Sequence, residues 1–363
     1  MLTQRQLIDQ LLEALRALPS ARVQFRIKPR WDSATAPHWQ YDLRLDLGLG
    51  GRAVTMLVEA MRSLYPRDVR QKLWQIRAAS QTWSDAPGEQ QTVPLLLAES
   101  ISSGARELLE SERVGYYDSG GSLHVPAEDM FVHIDRPPSK PVSKSHRSRF
   151  SGRRAQVLHA LLIHHGEWLS VKSVAERAHV SPATASQVLA ELERHEWADT
   201  RGMGPRKTRS LVQPAALLDA WVRQRDLLRA PPTERFYVPG ADAAELAQRL
   251  SHLFEARGAD YALTHAAAAQ HYAPFLSSIS RVHCRLLTGP AATLALDELG
   301  ARSVDEGANL VVIPAKSSGE FLFRQRLGGL WLASPIQVYL DLVHSGGRAP
   351  ELAEHMRRER IGF

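Results

Sequence analysis

The chain has 363 residues, 44% of them hydrophobic and 23% charged, the balance of an ordinary folded protein with two or three domains rather than a disordered one. Its one cysteine, Cys284, excludes an intrachain disulfide and a zinc site built on cysteines. No apolar run reaches the roughly 20 residues that cross a bilayer, and Met1–Arg5 lacks the layout of a secretory signal, so no membrane partner and a reduced, cytoplasmic setting are expected. Lys and Arg number 45 against 39 Asp and Glu, a formal charge of +6, and its distribution is more informative than its size.

In chain order, Leu7, Leu11, Leu15 and Leu18 recur at helical spacing up to Pro19, an amphipathic helix. Strand-like runs follow at 23–27, 41–47 and 54–60, the second alternating with period two. Pro66 opens a helix to about Thr82 with Val69, Leu73 and Ile76 on one face. Residues 93–98 form a buried strand, 104–112 a helix, and 115–125 a hairpin turning at Gly120-Gly121. Leu47–Gly51 is glycine-rich but joins two strands, which suits a turn better than a phosphate cradle. The first segment, 1–135, is therefore α+β.

From Arg136 to Arg154 there are seven Lys or Arg and no acid, with Pro137, Pro138 and Pro141 among them. That composition gives a basic linker over 136–148. The second segment, 149–230, predicts helices at 153–164, 171–178 and 182–196. Ser170 caps the second, Ser181 caps the third, and Pro182 stands at its first position. A short turn, His179-Val180-Ser181, joins them. Arg201–Arg209 is a glycine-bearing basic loop ahead of the strand-like 210–212. A break at Arg229-Ala230-Pro231-Pro232 opens the third segment, 231–363. It mixes strands at 236–238, 282–287, 310–313 and 330–332 with helices near 242–256, 290–299, 335–343 and 350–360. The whole is expected to be a multidomain α+β or α/β chain.

The second segment resembles a winged helix-turn-helix. In that arrangement a third helix enters the major groove of duplex DNA. The outward residues of its first half, Ser181, Ala183, Thr184, Ser186 and Gln187, are small and polar, so they permit close approach and hydrogen bonding to base edges. Arg201, Arg206, Lys207 and Arg209 on the following loop would hold phosphates, with Arg153 and Arg154 adding charge. A plain helical bundle with a solvated basic loop is the competing reading.

The first segment resembles the PD-(D/E)XK restriction-endonuclease-like fold. Active members hold a divalent metal on a strand acid and on the Glu of a Glu-x-Lys on the next strand. Here Asp42 or Asp46 precedes Val58-Glu59-Ala60-Met61. Met61 stands at the lysine position, and a thioether cannot supply an ammonium charge. Lys72 on the following helix is a candidate substitute. The resemblance implies a degenerate domain with no catalytic residue, no resident metal and no cofactor.

Ala308–Ile313, Ser334–Leu342, Gly346–Glu354 and Tyr261–Ala268 resemble the C-terminal region of AbiEi-family antitoxins, the antitoxin half of type IV toxin–antitoxin systems. The resemblance spans 149–363 and is strongest over Pro335–Arg348. It implies binding to the chain's own promoter with cooperative self-association on DNA. It also implies antagonism of a nucleotidyltransferase-like toxin without a stable complex. Gln337, Tyr339 and Asp341 could equally brace a fold. His252, His265, His271 and His283 share no ligand spacing on one element, and no Gly-Ser followed by Asp-x-Asp marks a nucleotidyltransferase. Two other functions stay open: a metal-dependent endonuclease targeted by the winged helix, and a regulator with no toxin.

Overall fold

The computed structural model describes residues 2–27, 41–80, 91–136, 150–226, 232–240 and 242–363. Most of the basic linker, 137–149, and most of the break at 229–232 lie outside them. The described chain is a mixed α+β protein in two compact units, Met1–Arg147 with Glu191–Glu196, and Ser148–Ala190 with Trp197–Phe363.

The first unit is built on one seven-stranded sheet. Helix α1 (Gln4–Arg16) opens on a capping box, in which the Thr3 hydroxyl accepts from the Gln6 amide and the Gln6 side chain accepts from the Thr3 amide, satisfying two N-terminal groups that the helix leaves unpaired. Strands β1 (Arg22–Ile27), β2 (Leu43–Leu49) and β3 (Arg52–Leu64) follow, then α2 (Pro66–Ser80), β4 (Thr92–Ile101) and α3 (Ser103–Ser111). Strands β5 (Gly115–Asp118), β6 (Leu123–Pro126) and β7 (Phe131–Ile134) complete the sheet, whose order is β1-β2-β3-β4-β5-β6-β7. The pairs β3/β4 and β4/β5 are parallel, each bridged by a helix, and the other neighbours are antiparallel.

Period-two alternation divides the side chains between two cores. Leu43, Leu45, Leu47, Met56, Val58, Leu95 and Leu97 pack with the leucines of α1. Leu57, Leu96, Ala98 and Tyr116 pack with Val69, Leu73 and Ile76 of α2 and Leu109 of α3. Covering on both faces explains why 93–98 reads as an unbroken apolar run.

The second unit begins with α4 (Gly152–Ile163), a two-residue β8 (Leu169–Ser170), α5 (Val171–Arg177) and the greater part of α6 (Pro182–Arg194), whose end from Glu191 is counted with the first unit. Strands β9 (Ala198–Arg201) and β10 (Thr208–Leu211) flank a single 3-10 turn, Gly204–Arg206, and form a small sheet in the order β8-β10-β9. Helix α7 (Pro214–Asp226) follows, an element the sequence reading lacked. A second seven-stranded sheet takes the order β14-β11-β15-β13-β12-β17-β16. Its strands are β11 (Glu234–Tyr237), β12 (Tyr261–Thr264), β13 (Val282–Leu287), β14 (Arg302–Ser303), β15 (Leu310–Ala315), β16 (Gln325–Leu327) and β17 (Leu330–Leu332). Helices α8 (Ala243–Ala256), α9 (His265–Tyr272), α10 (Pro290–Leu299), α11 (Pro335–Val343) and α12 (Ala349–Met356) surround it. Cys284 lies fully buried on the interior strand β13.

One compact unit thus holds 150–190 and 197–226 together with 232–363, across the position where the sequence places a domain boundary. The joins are specific. On α4, His159 Nε2 lies 2.5 Å from Ser334 Oγ at the start of α11. On α7, Arg225 reaches Asp341, and Asp219 accepts from Arg357 Nη1 at 2.7 Å.

Candidate nucleic-acid interface and carboxylate sites

The α5–α6 turn is set by local chemistry. The Ser170 hydroxyl accepts from the Ser173 amide to cap α5. His179 adopts a left-handed conformation, φ 49°, and reverses the chain within the residues 178–181. The Ser181 hydroxyl accepts from the Thr184 amide at 3.2 Å and lies 3.0 Å from the Thr184 hydroxyl. Ala185, Val188, Leu189 and Leu192 are buried, while Ser181, Ala183, Ser186 and Gln187 are exposed and Thr184 is half-buried. The predicted small polar face is therefore on the surface. Two of its members, Ser181 and Thr184, also serve the helix cap, which leaves Ser186 and Gln187 as its uncommitted polar groups at the middle of α6.

The β9–β10 hairpin carries the basic loop. Gly202 sits at φ 75°, and a Cβ there would fall 2.7 Å from the Arg206 carbonyl oxygen. The turn closes only on glycine at that position. Arg206 is exposed and Lys207 half-buried. Arg201 is exposed, with its guanidinium 3.8 Å from the centroid of Trp168, a stacking that holds its charge at the root of the hairpin. Trp168 was absent from the sequence reading because it lies on no periodic segment. Arg209 departs from the expectation. It stands on the central strand β10, opposite both Leu169 and Thr200, and is only 8% exposed. It is a structural group beneath the hairpin and not part of its exposed charge. Arg153 is exposed and Arg154 half-buried on the first turn of α4.

In the first unit, β2 and β3 bring Asp42 beside Glu59. The Asp42 amide donates to the Val58 carbonyl, and its carboxylate accepts from the Ala60 amide at 2.8 Å. Lys72 Nζ on α2 donates to Glu59 Oε1 at 2.5 Å, and both side chains are largely buried. Asp46 does not join them. It pairs across from Thr55, whose hydroxyl it accepts at 2.7 Å, four residues from Glu59 along β3, or roughly 13 Å at strand rise. Met61 packs against the α2–α3 core. A cavity lined by Leu2, Gln4, Leu7, Ala60, Met61, Arg62 and Glu99 opens beside this end of β3. Among the described residues no cluster of three or more His, Cys, Asp or Glu can hold a metal.

In the second unit Asp341 on α11 is a fully engaged hub. One carboxylate oxygen accepts from Arg285 Nη2 at 2.7 Å, Gln337 Nε2 at 2.8 Å and Arg225 at 3.3 Å. The other accepts from Thr264 Oγ1 at 2.7 Å and Arg285 Nε at 2.9 Å. Burial alone would raise this carboxyl, but the Arg285 and Arg225 charges outweigh it and hold the acid well below its usual range. Tyr339 is buried, and its hydroxyl accepts from Arg357 Nη1 at 3.1 Å. Gln337, Tyr339 and Asp341 accordingly brace the fold. His265 and His283 stack at 4.2 Å, and burial pushes His283 down to about 3.

No family profile, curated protein or solved structure matches the chain. Among the described residues no helix is long and apolar enough to cross a membrane.

Proposed function

We propose that the chain is a duplex-DNA-binding transcriptional regulator of the AbiEi antitoxin type. In this reading it represses its own promoter and counters a nucleotidyltransferase-like toxin without a stable complex. The observation that carries the DNA reading is the exposed polar face of α6, preceded by a capped tight turn and followed by a glycine-closed hairpin bearing Arg201, Arg206 and Lys207. The order α4-β8-α5-α6-β9-β10 supports a winged-helix reading, in which α6 would be the groove helix. Replacing Arg206 and Lys207 together by Ala should weaken binding to every duplex sequence and lower the salt slope by about one unit per lost phosphate contact. Replacing Gln187 should instead relax specificity, by roughly 1–3 kcal/mol where it reads a base. Unchanged affinity and salt dependence in the Arg206/Lys207 variant would remove the hairpin from the interface. The antitoxin half is tested by coexpression with a toxin encoded beside the gene. Rescue supports it, and the absence of both such a gene and any rescue leaves a stand-alone regulator.

A second reading has its own observation. Lys72 reaches Glu59 beside Asp42, so the ammonium missing at Met61 is present from α2. Asp42 and Glu59 would hold a divalent ion of the magnesium type, which binds through one or two carboxylates plus substrate phosphate, and it would supply Lewis-acid charge there. We favour the retired nuclease-like scaffold, since Lys72 neutralises Glu59 and no third protein ligand stands beside it among the described residues. Supercoiled plasmid should survive the protein with magnesium or manganese. Cleavage abolished by both Glu59→Ala and Lys72→Ala would establish the endonuclease instead.

A further inference from the structure

We propose that His124 and His133 form a two-imidazole binding site for a borderline divalent transition-metal ion of the zinc class. The site is independent of the DNA-binding reading and lies apart from the Asp42–Glu59 pair in sequence and strand. Strands β6 and β7 pair antiparallel with His124 directly opposite His133, so both rings stand on one face of the hairpin. Their Nδ1 atoms are 3.3 Å apart. Two nitrogens each 2.0–2.1 Å from one tetrahedral ion are separated by about 3.3–3.4 Å, so the backbone register already sets the ligand spacing. Without the ion the same distance lets one ring donate its N–H to the other.

The surroundings fix which nitrogens are used. His124 is 4% exposed, and its Nε2 is buried with no hydrogen-bond partner among the described residues. Nδ1 is therefore the one nitrogen of that ring able to take a ligand. The Tyr116 ring stacks on His124 at 5.4 Å, and the Phe131 ring meets it edge-on at 5.5 Å, which holds the imidazole plane. His133 is exposed, and water would complete the coordination from that side. Imidazole nitrogen selects zinc, copper or nickel over magnesium and calcium, which prefer oxygen.

The test is calorimetric titration of the full chain with Zn²⁺, read beside the imidazole NMR signals. One equivalent should bind in the micromolar range and shift the signals of both His124 and His133. His133→Ala should weaken this equivalent by about tenfold or more, whereas the exposed His252→Ala should not alter it. An isotherm unchanged by His133→Ala, or the loss of no more from it than from His252→Ala, would overturn the proposal. So would zinc shifts confined to other histidines.

Discussion

Asp341 shows how one residue can organise a unit without doing chemistry. Six donor atoms from Arg285, Arg225, Thr264 and Gln337 converge on its two oxygens, and Arg285 extends the network to Glu320 at 3.1 Å. Removing one partner of a buried ion pair leaves the other charge uncompensated, at a cost of about 3–5 kcal/mol. Asp341→Ala should therefore lower the denaturant midpoint of the second unit by that equivalent, far more than Asp46→Ala, whose carboxylate is partly exposed. His159 acts in the same place with the opposite requirement. Burial, with the nearby Arg285, pushes its imidazole down to about 3. Folding favours the neutral ring, so the unfolded chain binds more protons below its ordinary value of about 6.5. Stability should be full above pH 6.5 and fall progressively towards pH 3. Thermal melts across that range should show a shallower decline for His159→Gln, and an unaltered slope would mean that His159 is not among the groups responsible.

Among the elements, the strands and helices with strong patterning were legible. The predicted 282–287, 290–299, 330–332 and 335–343 coincide with β13, α10, β17 and α11, and the last three open directly after Gly289, Gly329 and the capping Ser334. Alternation at 41–47 located β2 within two residues. What escaped were elements whose signal is supplied by their neighbours. Strand β8 has two residues, too few for any period, and exists because Leu169 and Ser170 pair with β10. Helix α7 was missed because Gln213-Pro214 follows a strand without a capping side chain. Strand β12 runs straight into α9 at Thr264, so period two and period 3.6 blur within one apolar stretch. The candidate interface was legible to the level of the element, since exposure of α6 follows from its buried stripe. Arg209 was not, because its position depends on strand register rather than on the charge of the loop it ends. The hairpin offers an element-scale prediction. Gly202→Ala places a Cβ against the Arg206 carbonyl and imposes a left-handed backbone on alanine, a local strain of about 1–2 kcal/mol. DNA affinity should fall through misplacement of Arg201 and Arg206, while α-helical circular dichroism and the melting temperature of the first unit stay constant. Wild-type affinity in that variant would mean that the hairpin's shape does not matter to binding.

At the level of the whole molecule, the second unit joins what composition alone separates. The proline-rich break near 231 suggests a boundary, yet the partners of His159, Asp219 and Arg225 all lie beyond it, at Ser334, Arg357 and Asp341. These pairings join positions more than a hundred residues apart, which local pattern cannot reveal. A fragment ending at Ala230 would strip Asp219 and Arg225 of α7 of their partners at Arg357 and Asp341. The fragment 149–230 should consequently melt at a much lower temperature than the unit in the intact chain, and should shift a half-site probe only when its fold is preserved. Cooperative melting of the fragment at the intact chain's temperature would show that the segment is self-sufficient.

The position of Cys284 makes the chain its own reporter. The thiol is sealed on an interior strand, and burial raises it far above the range in which a thiolate forms. The thiolate, not the thiol, attacks an alkylating reagent and displaces its leaving group, so modification must wait for β13 to separate from its neighbours. Because no second cysteine competes, the rate of labelling in native buffer measures how often the second sheet opens. That rate should be very slow in the intact chain and should rise with Asp341→Ala in proportion to the stability lost. The Gly202→Ala hairpin variant should leave it unchanged. Rapid labelling of the unaltered protein would instead mean that this sheet opens locally, independently of the network around Asp341.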